Sequence, residues 1–441
     1  MWKWGLGVLI LVAGCGSDEV NQGSSGGADA SPDVNAEAGA CSPGVQIACA
    51  CVGGAEGAQR CKDDGSGWGE CRCPDASTDA PSDATEDAGD APADAVEESA
   101  EDAGADATCG DLLTDPDHCG RCDHSCLGGD CVDGMCQSFK LAAVNDGAWG
   151  LAVDATQVYV AILLNNEMVR LNKLNGAILS TLSQPEVFQP SWIAVDSSSY
   201  YWTNRMNTIG SIAKCPVAGC GAGGPTEVVA PADRPNGIVV DGTNVYWAET
   251  NGGTVKKAAP DGSNVVTLVP ASAGWKPFQL TLNGGYVYFS EAAEGRVARV
   301  PIAGGTAETM AISSSPGKVV VTDSWVYWAD STVGGGIFRV PNAAPPANGH
   351  TPELVAGGQD TSSSVAVDDE NIYWLASASW IVAEGALRTC PIAGCPSGVP
   401  IDLDSGIAYP IDLALDDNAI YYTVYGIDAA MDGAVMKIAK P

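Results

Sequence analysis

The sequence predicts an all-β protein whose main body is a seven-bladed β-propeller, and three observations carry that prediction. The first is a repeat. Runs rich in Val, Ile, Tyr and Trp end at Asp154, Asp196, Asp241, Asn283, Thr322, Asp368 and Asp416, and each is followed five residues later by Tyr159, Tyr201, Tyr246, Tyr288, Tyr327, Tyr373 and Tyr421. These units lie 39 to 48 residues apart, a period at which four short strands make one propeller blade. The second observation is the content of each unit: a third apolar run, such as 295–300 (GRVARV) or 336–340 (GIFRV), and usually a fourth after a glycine-rich turn. The third lies at the two ends. The last unit stops after its third strand at 434–438 (AVMKI), while 138–144 (SFKLAAV) precedes the first unit as a spare strand. That strand is expected to complete the last blade and close the ring, which removes the open sheet edges that invite aggregation.

Composition agrees and excludes several functions. The chain has 441 residues, with 55 Asp and Glu against 21 Lys and Arg, a formal charge of −34. So acidic a surface repels phosphate backbones and anionic lipid headgroups, which argues against nucleic acid as a partner and against electrostatic docking on membranes. The 54 glycines and 26 prolines favour turn-rich β structure over helices.

Upstream of the propeller, the elements follow in order. Residues 1–14 combine Lys3 with an apolar run too short to span a bilayer, the pattern of an export signal. Val12-Ala13-Gly14-Cys15 resembles a bacterial lipobox, which implies that Cys15 is lipidated and that the protein is anchored to the outer membrane through this lipid. Segments 15–40 and 74–108 are rich in Ala, Asp, Gly and Ser and lack Lys and Arg, so neither can build a core and both are expected to be disordered tethers. Between them, 41–73 holds six cysteines in 33 residues. A segment of that length needs disulfides to hold it.

A second cysteine-rich module spans 109–137 with six more cysteines. Its run of Cys109-Gly110, Asp115-Pro116-Asp117-His118-Cys119-Gly120 and Cys122 resembles the small module named after stigma-specific plant proteins, a family that implies no catalysis. Six cysteines allow 15 pairings in each module, and nothing local selects one. His118 and His124 are expected in exposed loops. Apart from Cys15 the cysteines fall into even groups of six, six and four, as full pairing in an oxidising compartment requires. Within the propeller, Cys215-Pro-Val-Ala-Gly-Cys220 and Cys390-Pro-Ile-Ala-Gly-Cys395 align with Val300-Pro-Ile-Ala-Gly-Gly305. Each pair should therefore staple its own hairpin.

Segment 236–249 (NGIVVDGTNVYWAE), followed by 261–268 (DGSNVVTL), resembles the YWTD repeats of the lipoprotein-receptor family and, more loosely, NHL propellers. The resemblance covers 149–441. It departs from that family in its seven units, where YWTD rings usually have six, and in never showing the full four-residue motif. It implies a fold rather than an activity, since such propellers include adhesion modules and a few enzymes.

Three candidate features remain. The Asp before the tyrosine, present in five of the seven units, is expected to shape a tight turn by bonding its own backbone. The aromatic that follows the tyrosine in units two to seven (Trp202, Trp247, Phe289, Trp328, Trp374, Tyr422) is expected in the core. Two residues further on, the units carry Ile162, Asn204, Glu249, Glu291, Asp330, Ala376 and Val424. That gives a polar arc over units two to five. The apolar remainder is extended by Leu163, Leu164, Trp380, Ile381 and Tyr425. Antiparallel pairing puts the end of strand two beside the start of strand one, so Trp149, Trp192, Asn236, Phe278 and Gln279 should share this face. The arc is expected either to bond neighbouring backbone or to bind a protein or glycan partner. No resident cofactor is expected, although Glu249, Glu291 and Asp330 are candidate oxygen ligands for calcium. The rival to a binding module is a metal-dependent lactonase-like hydrolase or lyase, against which stands His350 as the sole propeller histidine. A purely structural envelope protein is the third reading.

Overall fold

The computed structural model describes residues 46–50, 56–60, 62, 109 and 111–441, apart from 186, 207–208, 360, 363, 378–383 and 427–432. The signal segment 1–14, Cys15, both tethers and Trp380 lie outside the described residues. Of the module at 41–73, the described backbone is an antiparallel hairpin of Gln46–Ala50 with Glu56–Arg60.

Seven four-stranded antiparallel sheets make up the propeller. Their first strands are Ala148–Val153, Pro190–Val195, Pro235–Val240, Leu280–Asn283, Pro316–Val321, Ser364–Val367 and Pro410–Leu415. Each of these touches the next, and the seventh returns to the first, so they surround a central axis. Closure follows the expected route: Phe139–Ala143 pairs antiparallel with Ala434–Ala439 as the outermost strand of blade seven. Helix among the described residues is limited to three single 3-10 turns.

Packing explains the repeat. Seven apolar clusters occupy the seven gaps between adjacent blades. The aromatic after each tyrosine is wide enough to fill the space between splayed sheets. Trp202, Trp247, Phe289, Trp328, Trp374 and Tyr422 are all fully buried. Blade one has Val160 at this position, and Tyr200 of blade two leans into the space beside it, with its ring 4.7 Å from that of Tyr159.

The five-residue spacing from Asp to Tyr is a latch. In blades one, two, three, six and seven, one oxygen of Asp154, Asp196, Asp241, Asp368 or Asp416 accepts the backbone N–H groups two and three residues on. The other oxygen accepts the hydroxyl of the tyrosine at 2.7–3.2 Å. Blade four has Asn283 and blade five Thr322, and there the latch changes: Tyr288 donates to Asn342 instead, and the Thr322 hydroxyl bonds only within its turn, accepting Trp325 N–H at 3.1 Å and donating to Trp325 O at 3.4 Å.

The latches set an acid limit on stability. Burial raises the carboxyls of Asp196, Asp241, Asp368 and Asp416, but the donated hydrogen bonds outweigh it, and all four titrate below the ordinary aspartate range. A folded-state pKa below the unfolded value of about 3.9 gives stability that is present above that value and lost as pH falls through the folded one. Asp241→Ala should therefore cost about 1–2 kcal/mol at pH 7. The deficit should shrink as the pH of the melt falls toward 3. An unchanged deficit at pH 3 would show that the carboxylate charge contributes nothing.

Disulfides Cys215–Cys220 and Cys390–Cys395 staple the hairpins between third and fourth strands, with Cα atoms 4.9 Å apart. The module at 109–137 is held by Cys109–Cys122, Cys119–Cys131 and Cys126–Cys136. It packs on the propeller through a cluster that includes Ala439. Here one expectation needs correcting. His124 is half-buried rather than in an exposed loop, because its ring spans Cys119 O at 2.6 Å and Lys440 O at 2.8 Å and so ties the module to the last strand. His118 is partly exposed, and its Nδ1 accepts the N–H of Asp123.

Candidate functional site

The polar arc turns inward. Asn204, Glu249, Glu291 and Asp330 are between 0% and 6% exposed, and each oxygen has an internal task. The buried tryptophans supply the reason, since an indole N–H in the core needs an acceptor. Trp202 donates to Asn204 and Trp247 to Glu249, both at 3.0 Å. Trp328 donates to Ser313 Oγ at 2.8 Å, which in turn donates to Asp330 at 2.6 Å. In blade six, Gln359 takes this part from a neighbouring loop, accepting Trp374 at 3.0 Å.

The charges on the arc are paired as well. Lys256 Nζ lies 2.9 Å from Glu249, and Arg296 Nε lies 2.7 Å from Glu291. Glu291 also accepts the backbone N–H of Lys276; burial nevertheless leaves its carboxyl above the ordinary glutamate range. Asp330 is held low, because the donors Ser313, Thr332 and Ser315 outweigh its burial. These three carboxylates do not converge. Among the described residues the one grouping of three metal-type atoms is Cys119, Cys126 and Cys136, whose sulfurs are committed to disulfides. Sequence position brings the arc together, but the fold spends it on the blades themselves.

The other predicted members of this face behave differently. Trp149 and Trp192 meet edge to face with centroids 6.3 Å apart, Trp149 meets Tyr425 at 6.1 Å, Trp192 meets Phe278 at 6.3 Å, and Tyr425 meets Tyr409 at 5.3 Å. Five aromatic rings thus form a continuous chain around the mouth of the central channel, contributed by blades seven, one, two and four. Beside them lie polar atoms with no internal partner: Trp149 Nε1, Trp192 Nε1, Asn236 Oδ1 and Gln279 Nε2. Asn236 and Gln279 are 1% and 5% exposed. An unpaired buried polar group costs about 1–3 kcal/mol, so four in one place mark a surface built for something other than stability.

Deeper along the axis lies a residue column of which sequence reasoning found Trp192 and Gln279 alone. Leu151, Ile193, Ile238, Leu280, Val319, Val365 and Leu413 each face the buried second-strand residue of their blade. The residues just before them are Gly150, Trp192, Gly237, Gln279, Lys318, Ser364 and Asp412. Gly150 is required, because a Cβ there would meet Ser191 O at 2.1 Å. Lys318 of blade five reaches past blade six to Asp412 of blade seven at 2.8 Å, and Ser364 of blade six donates to the same oxygen at 2.9 Å. Asp412 also accepts the N–H of Leu151 in blade one at 3.1 Å. Aligning the seven units on their first strands is the signal that finds this column.

Backbone geometry reinforces the mouth. Gln189, Arg234 and Tyr409 each immediately precede a first strand and adopt positive φ of 44°, 53° and 55°. Non-glycine residues in this region carry strain of order 1 kcal/mol or more, and such strain gathers at functional sites. The mouth also has a defined orientation. First strands run away from it toward the Asp latches, and at that latch end the module at 109–137 bonds Lys440 O through His124 and faces Asp368 and Asp417 across a shared cavity. The cysteine-rich module and the aromatic mouth therefore occupy opposite faces.

No protein-family model matches the chain. Among solved structures, it is similar to a catalytically inactive virginiamycin B lyase from Staphylococcus aureus determined with quinupristin, at 15% identity and a TM-score of 0.54, over 69% of this chain and 99% of that one. It is similar to a streptogramin B lyase at 15% identity and a TM-score of 0.52, over 69% of this chain and 97% of that one. U3-55K is similar at 12% identity and 0.53, over 69% and 98%. The propeller architecture is shared with all three. At such identity the likeness shows fold alone. His350, the propeller's one histidine, follows the third strand of blade five on the latch side, with its N–H bonded to Met310 O at 2.7 Å.

Proposed function

We propose that the propeller is an extracytoplasmic binding module, anchored to the outer membrane by lipid on Cys15, which engages a protein or glycan partner at the aromatic mouth. The observation that carries this reading is the five-ring chain with its four unpartnered polar atoms, since aromatic faces with a few convergent polar groups are what ligand sites are built from. Orientation supports it. A tether that arrives at the latch face leaves the mouth pointing outward, and long acidic segments would extend its reach beyond the membrane.

The lyase-like alternative gains nothing specific from the mouth, where among the described residues no histidine lies and the arc carboxylates are committed to internal partners. The test is binding of the full chain to arrayed envelope glycans and peptides, compared with Trp149→Ala/Trp192→Ala, at a temperature where both are folded. We expect at least a tenfold loss of affinity for whatever the native chain captures. Capture that survives the double substitution undiminished would remove the mouth from the function.

A further inference from the structure

Beside the mouth lies a cavity of about 370 Å³ lined by Leu163, Leu164, Asn166, Gln189, Arg205 and Arg234. It sits where the loops of blades one, two and three meet. Gln189 enters the first strand that carries Trp192, and Arg234 enters the one that carries Asn236.

The two arginines are anomalous in this chain. Acidic residues outnumber basic ones 55 to 21, so a guanidinium finds a carboxylate easily. The propeller's other arginines all have acceptors: Arg170 has Gln157, Arg296 has Glu291, Arg299 has Glu308, Arg339 has Glu353 and Arg388 has Asp402. Arg205 and Arg234 make no side-chain hydrogen bond or ion pair among the described residues, yet both are half-buried in one cavity. They feel each other. Burial, and then the charge of Arg234, bring Arg205 down to about 10.

The cavity is also held in place by local geometry. Asn166 accepts the N–H of Gln189 at 2.7 Å, and Arg205 N–H donates to Gln189 O at 3.0 Å. Asn166, Gln189 and Arg234 all have positive φ. Two like charges held together without a counter-ion cost stability, and the group that would relieve them is an anion whose oxygens match the guanidinium fork.

We infer that Arg205 and Arg234 form a subsite for an oxyanion, a carboxylate, sulfate or phosphate, carried by the ligand of the mouth. Its placement within that ligand rests on the binding reading above, whereas oxyanion capture does not. Leu163 and Leu164 would line the apolar side of the same cavity, which favours an anionic group attached to a carbon framework over a free ion.

The full chain is melted with rising sodium sulfate, sodium phosphate or sodium glucuronate, each against sodium chloride of equal ionic strength, and compared with Arg205→Gln/Arg234→Gln. We expect a saturable rise in melting temperature for at least one oxyanion. Preference for glucuronate would indicate a carboxylate, and preference for sulfate or phosphate a tetrahedral group. The double variant should lose the effect, while its melting temperature in chloride should rise because the repulsion is gone. A lower melt in chloride would mean that the pair is structural and would overturn the proposal, as would a salt effect that never saturates or that persists in the variant. Trp149→Ala/Trp192→Ala should keep the oxyanion effect, so failure of the mouth and failure of this subsite are read separately.

Discussion

A chain that begins at Val144 should fail to give a cooperatively folded propeller, whereas one that begins at Ser138 should melt in a single transition. The difference is the strand Phe139–Ala143, which supplies the fourth strand of blade seven by pairing with Ala434–Ala439. Leu141 and Ala142 are buried in the cluster between blades seven and one, alongside Leu171 and Val435, with Phe139 packed against it. Losing Leu141 and Phe139 removes about 1.5–3 kcal/mol of apolar burial each. It also uncovers the N–H and C=O groups of the last strand as a free edge. More important, among the described residues this strand is the one place where the two ends of the propeller sequence share one sheet. Without it blade seven meets blade one only through first- and second-strand contacts such as Asp412 with Leu151 N–H and Thr423 with Trp149 O, and the outer part of the gap between them loses its filling. The two side chains alone sum to about 3–6 kcal/mol, comparable to the whole stability of many domains. Circular dichroism melts of the two truncations decide the matter. A cooperative melt for the shorter chain, within a few degrees of the longer one, would show that the ring holds without its closing strand.

How much of this was legible in the sequence depends on whether the signal repeats. Seven tyrosines at fixed distance from seven turns are visible because every blade solves the same packing problem in the same way. The latch supplies the reason for the spacing: the residue that bonds the turn backbone also bonds the ring five residues on, as in Asp241 with Tyr246. Blade count, closure and both hairpin staples followed from the same periodicity. The site was half legible. Antiparallel pairing correctly gathered Trp149, Trp192, Asn236, Phe278 and Gln279, because strand direction alone fixes which ends share a face. The polarity of Glu249 and Asn204 pointed toward a surface, but an indole two residues earlier makes such a residue an internal acceptor. Reading Trp247 and Glu249 as a pair would have shown this. The Lys318–Asp412 contact was not legible from neighbouring positions, since it spans 94 residues and skips a blade. The unpaired arginines were invisible for a different reason, because a sequence shows charges but not which of them lack partners.

Asp412→Ala should be the most damaging single substitution on the axis. The side chain is 3% exposed and gathers Lys318, Ser364, Leu413 N–H and Leu151 N–H, so four blades converge on one carboxylate. Removing it leaves the Lys318 ammonium with the carbonyl of Leu413 as its remaining acceptor, at 2.6 Å. Breaking one partner out of a buried pair costs about 3–5 kcal/mol, because the surviving charge keeps its desolvation cost and loses its compensation. For a domain of this size that is a fall of order 10 °C in melting temperature. The physical test is the cycle. Lys318→Met alone should also destabilise, since Asp412 would then be a buried anion held by neutral donors. Lys318→Met/Asp412→Ala together should be much less harmful than the sum of the two, because no uncompensated charge is left. A coupling energy of 1 kcal/mol or more confirms that the pair acts across the channel. Additive losses would mean that Asp412 works through Ser364 and the backbone N–H groups, with Lys318 a bystander. The pair sits directly beneath the aromatic mouth and is shared by blades five, six and seven, so its loss should also loosen the seating of Tyr409 and Tyr425. Lowered affinity for the mouth ligand in Asp412→Ala, measured well below its melt, is the expected companion result.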